Sequence, residues 1–473
     1  MAPEMFEMLK DNLILNTDSY KYSHPKQYPP GANAMFSYIE ARKSNLQYPF
    51  VVDRLVFFGL QAFIKCYLMK PITMADIEEA EPFILAHGEP FDRKAWEKVV
   101  NVYGGYLPVR ICAVPEGCKI PLNNVLLTVE CDDPDLFWMA SFIETALVRA
   151  IWYPTSVATI SRLCKSIIKK YLNATCDDPE GQIQFKLHDF GARGASSNET
   201  AGIGGMAHLV NFKGSDTIMG IVYARIYYDE PMAAFSIPAA EHSTITSWGI
   251  PFEKEAYRNM IKKFGKPGAV FACVSDSYNI FNAAENIWGE ELRAEVIGSG
   301  AIVVIRPDSG DPLQVTMKLI RILGKKFGYT VNKKGYKVLN HVRIIQGDGV
   351  NPGIIDHILM GYKKDGWSAE NIAFGMGGAL LQKVDRDTFS FAMKCSAIRV
   401  GDKWREVFKD PIDGGKTSKK GRIGLANMNG EINTITEDRI LADGGRNLLE
   451  PVYDSGRLLR GQRFEEIRKL ADG

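Results

Sequence analysis

The stretch AIVVIRPDSGDP, residues 301–312, runs from an apolar segment, Ala301 to Ile305, into Arg306 and a loop of Pro, Asp, Ser and Gly. The apolar part reads as a strand, and it is the most apolar strand candidate in the chain. The segment after it, Leu313–Phe327, carries apolar residues at three-and-four spacing and reads as a helix. The same phrase recurs from about Phe185 onward. FKLHDFGARGASS (185–197), LVNFKGSDT (209–217), FSIPAAEHSTIT (235–246) and VFACVSDSYN (270–279) precede it; VRIIQGDGVNP (342–352) and IAFGMGGALLQK (372–383) follow. Between them lie further helical candidates, Thr217–Tyr228, Phe252–Phe264 and Asn279–Ala294. Alternating strand and helix implies parallel strands joined by right-handed crossovers. Seven such units over roughly 200 residues suit a β/α barrel better than an open sheet. The fold expected is α/β, with the barrel over 181–389.

Residues 1–180 do not keep this rhythm. Strand-like pieces (Met35–Ile39, Leu107–Val114, Asn124–Glu130) alternate irregularly with helical ones (Asp135–Trp152, Ser156–Leu172). They predict a separate α+β domain, completed by 390–473, where FSFAMKCSAIRV and GRIGLANM again read as strands. No Pro/Ser-rich linker separates the two, so tight packing between them is expected.

Composition narrows the function. With 46% apolar and 24% charged residues, the chain has the balance of a soluble globular enzyme. A net charge of +1 gives no reason to expect nucleic acid or a membrane surface as partner. No apolar run approaches a membrane span. The acidic-amphipathic opening MAPEMFEMLKDNLIL does not read as a signal peptide. Eight scattered cysteines without a C-x-x-C pair argue for reduced thiols, hence a cytoplasmic protein, and against a zinc site.

In a barrel the loops after the strands share one rim, and chemistry sits there. Turn chemistry explains the glycines of these loops, but it explains poorly why Arg193, Asp216, His242, Asp276, Arg306 and Asp348 all fall at strand ends. Arg306 offers a planar fork of donors for a phosphate or an amide oxygen. Asp308 suits ribose hydroxyls or a magnesium ion. Gly347 and Asp348 in QGDGV, and Gly377 and Gly378 in FGMGG, suit a close approach of backbone N–H groups to a phosphate, with a helix expected to open at the second pair. Neither loop is G-x-G-x-x-G, so a dinucleotide fold is not supported. GGKTSKKGR (414–422) lacks the first glycine of a P-loop, since Asp410 stands there, yet its basic residues can hold phosphates. Asp276 is placed to orient the His242 ring. The hydroxyls of Ser243 and Thr244 read as the cap of the next helix.

Together these loops resemble the nicotinamide phosphoribosyltransferase family. The matching stretches include NTDSYKYSHPKQYPP (16–30), SYIEAR (37–42), VPEG (114–117), HDFGARG (188–194), ETAGIG (199–204) and HLVNFKGSDT (208–217). They continue with AAEHSTIT (239–246), VSDSYNIFNA (274–283), IRPDSG (305–310), QGDGV (346–350), NIAFGMGGALLQK (371–383) and SKKGR (418–422). The resemblance implies the type II phosphoribosyltransferase fold, an incomplete β/α barrel with an additional α+β domain. It also implies a homodimer with active sites at the subunit interface. The implied reaction joins nicotinamide to 5-phosphoribosyl 1-pyrophosphate with magnesium, giving nicotinamide mononucleotide and pyrophosphate, and couples ATP hydrolysis through a phosphorylated histidine, here His242.

By the same resemblance, Phe190 and Tyr20 of the partner subunit face the two sides of the pyridine ring. Arg193 and Arg306 contact base, product or pyrophosphate, and Asp216 accepts from the carboxamide NH2. Gly347, Asp348 and Gly378 hold the nucleotide phosphate and ribose. Arg42, Arg386, Lys394 and Lys409 surround the phosphates, some from the second chain, and Asp276 and Asp308 serve the histidine, ribose and metal. Ala192, where vertebrate members carry a tyrosine, Asn279, where an acid is usual, and Met376, where a serine is usual, depart from the pattern. Two other functions compete: a nicotinate phosphoribosyltransferase on the same fold, against which Asp216 argues, and a non-catalytic extracellular signalling protein, disfavoured by the opening sequence and the intact rim.

Overall fold

The computed structural model describes residues 12–412 and 417–473. The start of the acidic-amphipathic opening, residues 1–11, and Lys416 of the basic stretch lie outside the described residues. Among the described residues no helix is long and apolar enough to cross a membrane.

Six of the seven expected units supply strands to one parallel sheet. Its order is Gly214–Ser215, Leu187–Asp189, Ile372–Met376, Val342–Gln346, Ile302–Arg306, Val270–Val274. The seventh, around Phe235–Ala240, forms no regular strand. Pro238 has no N–H to give to a ladder, so this segment makes only single parallel bridges, Phe235 to Gly214 and Ala239 to Ala272. Those two bridges tie it to both edge strands, and the sheet curls into a barrel closed weakly at one stave.

Strand alternation then sorts the side chains. Val303, Ile305, Phe374 and Met376 face the surrounding helices and join the large apolar core. Their neighbours Val304, Ile345, Ala373 and Ala272 face inward, where they meet Phe190 and Ile237 in a small cluster of their own. Because Ala272, Ala373 and Gly375 are small, the barrel interior is not filled. A channel of about 500 Å³ runs inside it, with Phe190, Asp216 and Arg306 among its lining residues, and Lys186, Arg343 and Glu370 lining it as well. Burial pushes the Lys186 amine down to about 8, and Arg343 adds to the effect.

The second sheet is antiparallel and draws on both ends of the chain. Its order is Lys403–Glu406, Phe391–Val400, Ala32–Ala41, Asn124–Cys131, Arg110–Ala113, Glu450–Asp454, Arg457–Leu458. Ala32–Ala41 sits in the middle, with Tyr38 opposite Lys394 on one side and Thr128 on the other. Ile423–Met428 pairs instead with Glu431–Thr436 in a two-stranded sheet.

The two helical candidates Asp135–Trp152 and Ser156–Leu172 are joined in the structure. Glu144–Thr175 is one helix of 32 residues with Pro154 inside it. Pro154 gives up the bond to the Ala150 carbonyl. Gly59 packs into that site: a Cβ there would meet Pro154 Cγ at 2.5 Å and the Ala150 oxygen at 2.8 Å. The helix therefore runs on, with Ile151 in the core of the antiparallel sheet and Val157 to Leu172 in the barrel core.

His208 lies fully buried at the end of the helix Asn198–His208. Its Nδ1 is 3.0 Å from the Ser161 hydroxyl and its Nε2 3.3 Å from the Gly214 carbonyl, which assigns the proton to Nε2. Burial pushes this imidazole down to about 3. A group depressed on folding stabilises the fold above its unfolded pKa, 6.5 here, and loses that contribution as pH falls toward 3. The stability advantage of the protein over a His208→Gln variant should therefore shrink by about 1.4 kcal/mol per pH unit below 6.5. Urea unfolding of both proteins at neutral and acidic pH measures this, and an unchanged gap would rule it out.

Candidate active site

Seven of the residues singled out from sequence meet at the C-terminal ends of the strands. Phe190, Arg193, Asp216, Arg306, Asp308, Gly347 and Asp348 line one hollow of about 350 Å³. Alternation aims Arg306 and Phe190 inward. The Phe190 N–H donates to the Met376 carbonyl at 3.1 Å, and the Arg306 guanidinium lies 5.5 Å from the Phe190 ring centroid. Gly375 makes room for the ring: a Cβ there would stand 2.0 Å from Phe190 Cε2. The ring must swing away to clear that overlap, so Gly375→Ala should expel it from the wall and raise the KM for the base about tenfold or more. Steady-state kinetics test this, and an unchanged KM would show that the ring does not wall the base site.

Asp216 opens to solvent from the same hollow, held by its N–H to the Asp189 carbonyl at 3.0 Å. Ser236 donates its hydroxyl to Asp216 Oδ1 at 2.6 Å. Sequence reading missed Ser236, because a serine in the irregular third unit carries no pattern of its own.

His242 sits beside this hollow in a charged chain. Its Nε2 is 3.1 Å from Asp276 Oδ1, and its Nδ1 is 4.0 Å from Asp308 Oδ2. Asp276 Oδ2 accepts from the Asp308 N–H at 3.0 Å and from the Ser309 hydroxyl at 2.6 Å. Asp308 Oδ1 in turn accepts from Arg306 Nε at 3.1 Å and Nη2 at 2.6 Å. The His242 side chain is 46% exposed while that of Asp276 is 3% exposed, so the acid is fixed and the imidazole faces open space. The expected cap is corrected. The helix His242–Thr246 starts on His242 itself, Glu241 is its cap residue, and Ser243 and Thr244 bond back to Glu241.

A direct metal ligand role fits these acids unequally. Asp276 is enclosed and both its oxygens already accept hydrogen bonds, whereas Asp308, 24% exposed, turns Oδ2 to the hollow. Among the described residues no group of three or more His, Cys, Asp or Glu could cage an ion. Magnesium is commonly held by one or two carboxylates plus substrate phosphates, and Asp308 is a partly exposed carboxylate at the hollow.

A second hollow of about 250 Å³ adjoins the first and is lined by Gly347, Asp348, Gly349, Gly377, Gly378 and Lys383, among others. Gly349 takes φ +67°, which a glycine adopts freely. The helix expected after Gly377 is only Gly378–Leu381, too short to act as a dipole, so backbone approach rather than helix charge makes this cradle. Lys383, also missed, supplies its cation.

The remaining predicted residues line neither hollow in their own chain. Tyr20 is exposed on the turn Ser19–Lys26, and Lys409 donates its N–H to Ser418. Lys394, on the antiparallel sheet, has Arg42, just past the end of the neighbouring strand, and Arg386, on the turn Arg386–Thr388, as cationic neighbours. Burial pushes the Lys394 amine below its ordinary range; Glu144 opposes this, while Arg42, Lys21 and Arg386 add to it. Glu40, 2% exposed, accepts from Arg42 Nε at 2.9 Å and from Lys419. Of the three departures, Ala192 lines the rim hollow, Met376 points into the helix-facing core, and Asn279 caps its helix by accepting from the Phe281 and Asn282 N–H groups, each at 3.1 Å.

Solved structures share this architecture. The nicotinate-nucleotide pyrophosphorylase of Pyrococcus furiosus superposes with TM-score 0.63 at 16% identity, covering 98% of this chain and 95% of that one. Human nicotinic acid phosphoribosyltransferase superposes with TM-score 0.58 at 17% identity, covering 96% and 93%. The fold is that of the type II phosphoribosyltransferases.

Residues 185–453 match the nicotinate phosphoribosyltransferase (NAPRTase) family model, and residues 12–111 match the nicotinamide phosphoribosyltransferase N-terminal domain. The nicotinamide phosphoribosyltransferase of Xanthomonas campestris pv. campestris is 52% identical over 98% of both chains. That of Acinetobacter baylyi is 29% identical over 96% of this chain and 95% of its own. The chain belongs to the nicotinamide phosphoribosyltransferase family.

Proposed function

We propose that the protein transfers the 5-phosphoribosyl group of phosphoribosyl pyrophosphate to nicotinamide in NAD salvage, releasing nicotinamide mononucleotide and pyrophosphate. The observation that carries this reading is Asp216 facing a hollow walled by Phe190 and floored by phosphate-binding loops. The pyridine nitrogen bonds to the ribose carbon as the bond to pyrophosphate breaks, so positive charge develops on the sugar and negative charge on the leaving group. Phe190 holds one face of the ring, and an offset contact with it is worth about 0.5–1.5 kcal/mol beyond burial. Asp216 takes the carboxamide NH2. Arg306 and Arg193 face the leaving pyrophosphate, while the Gly347–Gly349 and Gly377–Gly378 backbones and Lys383 take the 5-phosphate. Asp308 would hold a magnesium ion, which when bound would supply positive charge to offset the leaving pyrophosphate.

ATP is a coupled substrate in this reading. With Asp276 holding the Nε2 proton of His242, the Nδ1 lone pair is the free nucleophile; it bonds to the γ-phosphorus of ATP as the bond to ADP breaks. The working unit is a homodimer in which Tyr20 of the partner subunit covers the second face of the ring. Tyr20, exposed and lining neither hollow of its own chain, is open to such a partner. Turnover of nicotinamide and of nicotinate with phosphoribosyl pyrophosphate and magnesium, with and without ATP, tests the proposal. A higher kcat/KM for nicotinamide is expected, and preference for nicotinate would overturn it.

A further inference from the structure

We propose that Asp189 is the positioning residue of the base site: its buried carboxyl fixes the turn that carries Phe190, beside the Asp216 backbone that its own main-chain carbonyl holds, without touching substrate. The proposal rests on the base-site reading above. Alternation turns Asp189 away from the channel and toward the helices. At the corresponding helix-facing positions of its strand and the next stand Leu187, Phe374 and Met376, all buried and apolar, and Met376 lies directly opposite Asp189 in register. An acid in that layer breaks the pattern, and the structure shows what it does there. Asp189 Oδ1 accepts the Gly191 N–H at 2.7 Å, which closes the turn immediately after Phe190. Its backbone carbonyl accepts the Asp216 N–H at 3.0 Å. One residue therefore anchors both the ring wall and the amide-reading carboxylate.

The other half of the carboxyl is costly to keep. Asp189 Oδ2 is buried without a hydrogen-bond partner, and so is Thr217 Oγ1, which approaches it without bonding geometry. Both side chains converge on Gly205, where a Cβ would stand 3.0 Å from Thr217 Cγ2 and 3.2 Å from Asp189 Oδ2. Burial pushes this carboxyl up to about 6, and the Asp216 charge adds to it, against the pull of the Gly191 N–H and the nearby Thr217 hydroxyl. Stability alone does not retain a half-satisfied acid between a strand and two helices; accurate placement of its neighbours does.

The test is steady-state kinetics on the full chain, varying nicotinamide and phosphoribosyl pyrophosphate separately, for wild type, Asp189→Ala and Asp189→Asn. Asp189→Ala should raise the nicotinamide KM about tenfold or more while the phosphoribosyl pyrophosphate KM stays within about twofold. Asp189→Asn keeps an acceptor for the Gly191 N–H and should restore the nicotinamide KM to within about threefold of wild type. If the alanine protein does not fold, Asp189→Ser, whose shorter hydroxyl does not reach Gly191 N–H, takes its place. An unchanged nicotinamide KM, an equal rise in both KM values, or no rescue by asparagine would overturn the proposal. Absence of nicotinamide turnover in wild type would instead overturn the base-site reading beneath it.

Discussion

Replacing His242 with alanine is expected to abolish the stimulation of synthesis by ATP while leaving ATP-independent synthesis within about tenfold of wild type. The asymmetry follows from geometry. His242 does not line the hollow in which the base and ribose meet; it touches that hollow only through Asp308, 4.0 Å from its Nδ1. A phosphoryl group on the imidazole adds about −1.5 to −2 charges, by analogy with other phosphorylated side chains. Those charges would fall beside Asp276 and Asp308, where the Arg306 guanidinium helps to offset them. Arg306 already bonds Asp308 through two nitrogens, so the added charge is felt where pyrophosphate departs. ATP turnover should fall with the stimulation, since the phosphoryl acceptor is gone. Asp276→Asn should reduce the stimulation as well, because a neutral amide no longer favours the Nε2 proton that frees Nδ1. Paired assays of ATP hydrolysis and mononucleotide formation measure both effects. ATP stimulation that survives in the alanine variant would remove His242 from the coupling.

The rim was legible because its residues end strands whose apolar runs are short and bounded. Ile302–Arg306 and Val342–Gln346 announce themselves by composition, and alternation then fixes which of Arg306, Gly347 and Phe190 look inward. The weakest unit in sequence is also the weakest in structure: Phe235–Ala240 carries Pro238 and contributes two bridges rather than a ladder. What sequence hid was tertiary compensation. The helix that joins Asp135–Trp152 to Ser156–Leu172 carries Pro154, against which Gly59, nearly a hundred positions earlier, packs closely. Ser236, Lys383 and Asp189 were invisible for a similar reason. Each acts through one contact made across the fold, and a single serine, lysine or aspartate has no periodicity to betray it. Ser243 and Thr244 misled in the opposite direction: good capping residues by type, they follow a cap that the chain assigns to Glu241.

Asp216→Asn is expected to collapse the preference for nicotinamide over nicotinate. The wild-type carboxylate gains about 1.5–3 kcal/mol from a charge-assisted bond to the amide NH2. Against the carboxylate of nicotinate it meets a like charge, which costs several kcal/mol. The two effects act in the same direction on the ratio of kcat/KM values, and each 1.36 kcal/mol is about tenfold. Removing the charge should therefore lower the nicotinamide-to-nicotinate ratio by about three orders of magnitude or more. The surroundings tolerate the change. Asparagine retains an oxygen to accept the Ser236 hydroxyl now 2.6 Å from Asp216 Oδ1, and the backbone bond to Asp189 does not depend on the side chain. Its NH2 then faces the ring substituent and suits an acid as well as it suits an amide oxygen. The KM for phosphoribosyl pyrophosphate should stay near wild type, because the glycine loops and Lys383 lie on the far side of Gly347. Competition between the two bases at limiting phosphoribosyl pyrophosphate reads the ratio directly. A ratio that does not move would mean that discrimination resides in another group on the channel wall rather than in the charge of Asp216.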